Sequence, residues 1–466
     1  MSLFEFSLKV VYASDEKLPY SHFSSAQKVA IVTIIAITAL VSPLSANMYY
    51  PSIQKARDDL HTTQPAITWT VTAYLIVMAI SPLIWSNLAD HFGRKPVYAL
   101  SMLIYTCGSI GCACSHTLTA LIASRVVQSA GSSAVQGAGA GTISDIYPRE
   151  QRGTALGIYY LGPLLGPCLG PVIGGYVGQT LGWRWVFWIL TIWGGVMCLL
   201  AVFVLPETHR RLVSQKHEIQ QVNIPPVLRL KDNNPLLDVA TVRYPVVAFT
   251  LFYFAMIYGA YFTTLTGLPL AFENIYGLSQ GLSGVGFLAV GTGNIVGSVC
   301  GGRVTDLMVR AGRRSAGAAA ESGESSARPK APPEARLNFV WFGGAISLSA
   351  LLVSGWLIDK HMSLASVLIF QFFVGVGRAF TFQCLAGYLI DVFPTRSARI
   401  TGVQNFWRSV WTAIIVQLFP TMLDSIGWGW SFTVMFFLAL AGALLIQVVV
   451  LRGRELRERF GPTPEK

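Results

Sequence analysis

Residues 86–95 read Ser-Asn-Leu-Ala-Asp-His-Phe-Gly-Arg-Lys, a short charged segment between two long apolar stretches. These stretches, at about 66–88 and 97–115, are each long enough to cross a bilayer as an α-helix. Hydrophobic residues make up 53% of the 466-residue chain and charged residues only 12%. A soluble protein carries about a quarter charged residues. The sequence therefore indicates a protein that resides in lipid.

Apolar stretches of spanning length continue in both directions from this segment. We predict an all-α membrane protein with twelve transmembrane helices. They lie at about 28–50, 66–88, 97–115, 118–142, 154–178, 184–205, 244–268, 280–305, 337–358, 363–390, 399–422 and 429–451.

The basic residues predict the orientation of these helices. Most of the 34 Lys and Arg residues fall on the side of the two termini, which the positive-inside rule places in the cytoplasm. This arrangement also accounts for the net charge of +11, so no nucleic-acid partner is expected. The predicted cytoplasmic segments are the tails 1–27 and 452–466, a central loop 206–243, and 306–336, interpreted as a flexible insertion because its middle is rich in Ser, Gly, Ala and Pro.

Two short motifs recur in the two halves of the chain. Asp145-Ile-Tyr-Pro is echoed by Asp391-Val-Phe-Pro at an offset of 246, and Gly182-Trp-Arg-Trp by Gly427-Trp-Gly-Trp at an offset of 245. The near-equal offsets predict a duplication into two six-helix bundles, 28–205 and 244–451. Repeats of this kind place a solute site near mid-membrane, between the halves.

Three motifs carry a family resemblance: the segment 86–95, the stretch 162–175 (Gly-Pro-Leu-Leu-Gly-Pro-Cys-Leu-Gly-Pro-Val-Ile-Gly-Gly) and Leu205-Pro-Glu-Thr. The chain resembles the major facilitator superfamily, specifically the fungal twelve-span drug:proton antiporters in their quinidine-resistance and organic-acid-exporter branch. The resemblance implies a conformational switch after span two. Its residues are Asp90, Gly93, Arg94 and Lys95, with Asp306 in a shortened echo after span eight.

The resemblance also implies an antiporter motif in span five, which in the family accompanies export. Its residues are Gly162, Gly166, Pro167, Gly170, Pro171, Gly174 and Gly175. The alternatives are ordinary basic loops for the switch and a generic packing helix for span five. No transport role is assigned to the Leu205-Pro-Glu-Thr motif.

Buried arginines distinguish this chain from a typical exporter of cations. Span four carries Arg125, Gln128, Ser132 and Gln136 at helical spacing, span ten carries Arg378, and span eleven carries Asn405 and Arg408. No Asp or Glu lies deep in a predicted span, and Glu273 falls near the outer surface. Bacterial relatives that export cationic drugs tend to have an acid where this chain has Asn47.

Buried cations without buried anions favour an anionic solute, since a guanidinium binds a carboxylate through two charge-assisted hydrogen bonds. The predicted substrate contacts are Arg125, Gln128, Gln136, Arg378, Asn405, Arg408, Asn47 and Tyr74. The alternative is that the arginines bond to helix carbonyls or hold the halves together.

We therefore expect an exporter of a di- or tricarboxylic acid or of an acidic secondary metabolite, working by alternating access. Coupling to protons is expected only if a buried acid exists. A proton-coupled multidrug efflux antiporter is the alternative, and a non-transporting membrane sensor a remote one. No nucleophile motif, metal-ligand spacing or nucleotide-binding glycine loop occurs, so we expect no enzyme, metal or cofactor. The expected setting is a monomer in the lipid bilayer of the plasma membrane, with the vacuolar membrane as the alternative.

Overall fold

A computed structural model describes residues 21, 23–147, 152–209, 240–319, 333–393 and 397–460. Within these ranges the regular structure is helical, with no β-strand. The α-helices are α1 (Ser25–Asn47), α2 (Ile53–Asp59), α3 (Gln64–Phe92), α4 (Arg94–Ala113), α5 (Leu118–Ser132), α6 (Ala134–Ile146), α7 (Arg152–Thr180), α8 (Trp183–Phe203), α9 (Pro245–Asn274), α10 (Gln280–Ala319), α11 (Val340–Asp359), α12 (Leu364–Val392) and α13 (Ser397–Phe460).

The described helices account for the twelve predicted crossings. Ten are long and apolar enough to cross a membrane. The fourth crossing is divided at Ser133 into α5 and α6, and α13 contains two crossings that meet at Gly427, where φ is 75°. The protein is thus an integral membrane protein of the all-α class.

Glycines with positive φ make the sharp joints between crossings. Gly93, at 99°, joins α3 to α4, and Gly182, at 96°, joins α7 to α8. Positive φ is strained for residues that carry a Cβ atom, so glycine is the residue suited to these joints. Gly182 and Gly427 are the first residues of the repeated Gly-Trp motif, so both halves use the same backbone conformation at matching positions.

Two sequence predictions need correction. Helix α10 continues to Ala319, so residues 306–319 are helical where a flexible insertion was predicted. The second correction concerns span four, which is interrupted at Ser133 into α5 and α6, although the polar side chains of Arg125, Ser132 and Gln136 still face α1 and α3. The predicted tail 1–20, most of the central loop (210–239) and residues 320–332 lie outside the described ranges.

The two halves pack through two helix pairs, α3 with α13 and α7 with α10. We call the membrane side at which α1 ends and α3 begins the distal side, and the other the proximal side. Gln417 accepts a hydrogen bond from Thr72 at 2.9 Å and donates one to the Pro65 carbonyl at 3.0 Å. Gln179 accepts from the Gly281 amide at 2.8 Å. These contacts join the halves toward the distal side.

Candidate functional site

Arg378 and Arg408 approach the same aromatic ring. The guanidinium carbon of Arg408 lies 4.1 Å from the ring centroid of Tyr258, and that of Arg378 lies 5.6 Å from it. Arg378 is midway along α12, and Tyr258 is near the middle of α9. Three helices of the second half therefore bring two cations together near mid-membrane.

Arg378 is held by neighbours that carry no charge. Its Nε donates to the Asn294 side-chain oxygen at 2.9 Å, and the Asn294 amide donates to the Tyr261 hydroxyl at 3.0 Å. The Tyr261 ring centroid lies 4.4 Å from the guanidinium carbon. Asn294 is almost fully buried, so this network fixes the orientation of the arginine.

Arg408 lacks even these polar partners. It is 9% exposed, and its Nε is buried without a hydrogen-bond acceptor. Among the described residues no carboxylate forms an ion pair with either Arg378 or Arg408. Asn405 lies about one turn before Arg408 on α13 and is half-buried. A buried guanidinium group without a counter-ion is costly, so an anionic group placed beside Arg408 would be stabilised.

A small recess between α9 and α12 lies beside Arg378. Phe254, Ile257, Phe382 and Leu385 line it beside Tyr258 and Arg378. These four residues lie toward the start of α9 and the end of α12, which are both at the proximal side. The free space next to Arg378 is therefore on the proximal side.

Arg125 has different surroundings, inside the first half. It is fully buried, its Nη1 donates to Gln128 at 2.7 Å and to the Ser45 carbonyl at 3.3 Å, and its Nε donates to the Thr70 carbonyl at 3.4 Å. The Tyr74 ring centroid is 4.2 Å from its guanidinium carbon. Its Nη2 alone has no partner.

The other predicted contacts of the first half form hydrogen bonds around α1. Gln128 donates to Ser109 at 2.9 Å, and the Tyr74 hydroxyl bonds Ser132 at 2.8 Å. Gln136 reaches α1 from α6 and donates to Ser42 at 3.1 Å. Asn47 donates to the Pro43 carbonyl at 2.6 Å, while its side-chain oxygen is buried without a partner.

The predicted switch forms an ion-pair cluster at the proximal ends of α3, α4 and α6. Arg94 pairs with Asp90 at 2.9 Å and with Asp145 at 3.0 Å. The Asp90 side chain is 52% exposed, whereas that of Arg94 is 8% exposed, so the bond to Asp145 is the more sheltered one. The side chain of Asp306 lies outside the described part of the chain.

Glu207 also belongs to this cluster, although no role is predicted for it from the sequence. Its carboxylate accepts from the backbone amides of Arg94 at 2.9 Å and Lys95 at 3.2 Å. It therefore binds the free amides at the start of α4, where the helix dipole favours negative charge. The acidic residue just after span six was the available signal.

The second half contains a matching ion pair. Arg336 binds Asp391 at 2.6 Å, and Asp391 is the repeat counterpart of Asp145. Arg336 precedes α11 much as Arg94 begins α4, so each half joins the same pair of crossings by an arginine and an aspartate.

The glycine-proline motif of α7 packs against both halves. Gly162, Gly166, Gly170 and Gly174 face α1, with the backbone of Ala36, Pro43 and Met48 so close that a Cβ atom would collide. Gly175 faces the start of α10 at Gln280 and Gly284. Prolines 163, 167 and 171 lie inside the helix. The motif is a close-packing surface on both sides.

The Major Facilitator Superfamily profile matches residues 35–416. This chain belongs to the major facilitator superfamily. Its curated relatives include citrate exporter 1 of Aspergillus niger, 30% identical over 96% of this chain and 89% of that protein. They also include the MFS-type transporter tndD of Aspergillus flavipes, 30% identical over 94% of this chain and 83% of that protein.

Solved structures share the superfamily fold. A bacterial homologue of the human lysosomal transporter Spinster aligns with a TM-score of 0.69, 12% identity, and coverage of 95% of this chain and 100% of that one. The D-xylose–proton symporter aligns with a TM-score of 0.67 and 14% identity over 91% of this chain and 97% of that one. This superfamily member is accordingly a transporter of small molecules in a lipid bilayer and not an enzyme.

Proposed function

We propose that this protein exports a small organic anion, a di- or tricarboxylic acid or an acidic secondary metabolite, by alternating access. The observation that carries the proposal is the pair Arg378 and Arg408 on the ring of Tyr258, with no carboxylate bound to either among the residues described. The similarity to a citrate exporter supports the same solute class.

The proposal assigns the anion contacts mainly to Arg378 and Arg408, with Asn405 as a polar neighbour. Gln136, on α6, is the half-buried polar group offered by the first half. Arg125, Gln128 and Tyr74 are assigned to holding the first bundle together, because their polar groups are bound to one another and to helix carbonyls. Asn47, with its unpartnered oxygen, lies where α7 packs on α1.

Alternating access would proceed by rocking of the halves about this site. Hydrogen bonds between the halves lie toward the distal side, and the recess beside Arg378 is proximal. A solute would thus bind from the proximal side. We propose that this side faces the cytoplasm and that the membrane is the plasma membrane. An inside-negative potential favours anion exit by about 2.3 kcal/mol per charge per 100 mV.

The test is efflux of labelled citrate from proteoliposomes with an imposed potential. Arg408→Gln is compared with wild type and with Arg459→Gln, which removes one exposed charge far from the site along α13. We expect citrate efflux to fall at least tenfold in Arg408→Gln and to persist in the control. Absence of citrate flux in wild type, with transport of a cationic dye that is indifferent to Arg408, contradicts the proposal.

A second candidate, proton-coupled multidrug efflux, is favoured by Glu273. One oxygen of this carboxyl group is buried without a hydrogen-bond partner, and Arg57 and Asp58 of the first half are its charged neighbours. Arg57 is itself bound to Asp58 at 2.7 Å. Glu273 is therefore a protonatable group between the halves near the distal side.

For this candidate we would measure cationic dye transport driven by an imposed pH gradient at zero potential. If protons are coupled through Glu273, Glu273→Gln abolishes the gradient-driven flux, whereas Glu455→Gln, on an exposed part of α13, leaves it unchanged. Dye flux that survives in Glu273→Gln removes this carboxyl group from the coupling mechanism.

A further inference from the structure

The two arginines of the site offer different edges to a ligand. The Nε of Arg378 is already occupied, since it donates to Asn294 at 2.9 Å. Its two terminal nitrogens, Nη1 and Nη2, have no hydrogen-bond partner among the described residues. A guanidinium presented in this way binds a carboxylate end-on, through two parallel N–H donors.

Arg408 presents the opposite case. Its Nε is buried and has no acceptor, and its face lies on the Tyr258 ring. The ring attracts the cation but accepts no conventional N–H hydrogen bond in the guanidinium plane. The Nε of Arg408 is therefore an unsatisfied donor, which is costly, and its positive charge also has no carboxylate partner among the described residues.

The charges on the two groups lead to the same requirement. The guanidinium carbons of Arg378 and Arg408 lie 5.6 and 4.1 Å from the centroid of the same Tyr258 ring, and no described carboxylate pairs with either. A ligand with one carboxylate neutralises one of these charges and leaves the other unpaired. A ligand with two carboxylates pairs with both arginines at once.

We infer that the site selects anions with at least two carboxylates, one bound end-on by Arg378 and the other by the guanidinium group of Arg408. This inference rests on the proposed function and narrows its substrate class. Asn294 is a positioning residue in this arrangement, because it occupies the Arg378 Nε and is itself held by the Tyr261 hydroxyl. Tyr258 lies against both cations.

The experiment compares competitors built on one carbon skeleton. Labelled citrate efflux is measured with unlabelled citrate amides present on the side from which the labelled citrate binds. In these amides, one or two of the three carboxylates are replaced by carboxamides. We expect the monoamide, which keeps two carboxylates, to compete within a few-fold of citrate. The diamide, with one, should compete about tenfold or more weakly, because it loses a charged bidentate pair.

Variants at position 294 test the positioning role. Asn294→Asp supplies a carboxylate beside Arg378 in nearly the same volume, so the discrimination between monoamide and diamide should shrink. Asn294→Leu removes the hydrogen bond without adding charge. We expect both amides to compete more weakly in this variant, with the discrimination between monoamide and diamide unchanged. An unaltered discrimination in Asn294→Asp contradicts the role given to Asn294.

The two levels of the proposal fail in different ways. If wild type exports citrate but the diamide competes as well as the monoamide, the two-carboxylate requirement is overturned and anion export stands. If no citrate efflux occurs, the proposed function fails, and the inference fails with it.

Discussion

The guanidinium carbon of Arg408 lies 4.1 Å from the centroid of the Tyr258 ring, and its buried Nε has no hydrogen-bond acceptor, so the ring supports a cation that no described carboxylate neutralises. Cation–π contacts contribute roughly 2 kcal/mol where the cation is desolvated. The aromatic face thus keeps a buried arginine in place without neutralising it, and the charge remains available to a solute.

Replacing this ring tests that relationship. Tyr258→Leu removes the aromatic face, so we expect the KM for citrate to rise roughly thirtyfold, as the loss of a contact of about 2 kcal/mol predicts. Tyr258→Phe keeps the face and is the matched control, with a KM within about twofold of wild type. Equal KM values in the Leu and Phe variants would exclude a role for the ring.

Arg125 and Arg408 should differ in what their loss affects. Arg125→Gln leaves the Ser45 and Thr70 carbonyls and Gln128 with fewer partners in a fully buried place, at a cost of about 1–3 kcal/mol. We expect a lower unfolding temperature in detergent, with little change in the citrate KM of the folded fraction. A normal unfolding temperature with a strongly raised KM would indicate instead that Arg125 contacts the substrate.

The switch cluster predicts coupling between two charges. Arg94→Gln leaves Asp145 without this sheltered partner, so the free energy of unfolding should fall by the several kcal/mol typical of a broken buried pair. Folded yield and transport should fall with it. Adding Asp145→Asn should recover part of the folded yield, because it removes the negative charge that Arg94 had neutralised. The exposed Asp90→Asn is the control, with a small effect. Strictly additive losses in the double variant argue against coupling.

The glycine-proline motif of α7 predicts that added side-chain atoms destabilise the protein at some glycines of this helix and not at others. A Cβ atom on Gly174 would collide with the Met48 backbone, whereas one on Gly157 in the same helix meets nothing within 4 Å. Gly174→Ala should therefore lower stability by roughly 1–3 kcal/mol, the usual cost of overpacking. Gly157→Ala should be neutral. Thermal unfolding of the purified variants measures both, and equal transitions would refute close packing of α7 on α1.

The sequence predicts the spans and proposes the arginines as substrate contacts, but it does not indicate which groups surround those arginines. Arg378 and Arg408 were both predicted as substrate contacts, and the structure brings them to one ring. Asn294 was missed, although a polar residue in the middle of a glycine-rich apolar span was a visible signal. The break at Ser133 was also missed, because the surrounding small residues are compatible with one continuous helix.

The sequence by itself determined the membrane environment, the number of crossings and the internal repeat, because apolar length, charge and motif spacing are local properties of the chain. The tertiary structure alone decided which arginine donates hydrogen bonds to backbone carbonyls and which arginines have donors without such acceptors. Helical periodicity places residues on a face of one helix, but the contacts of Arg125 and Arg408 come from helices distant in sequence. Only the packing of those helices determines whether a buried guanidinium group has a hydrogen-bond acceptor.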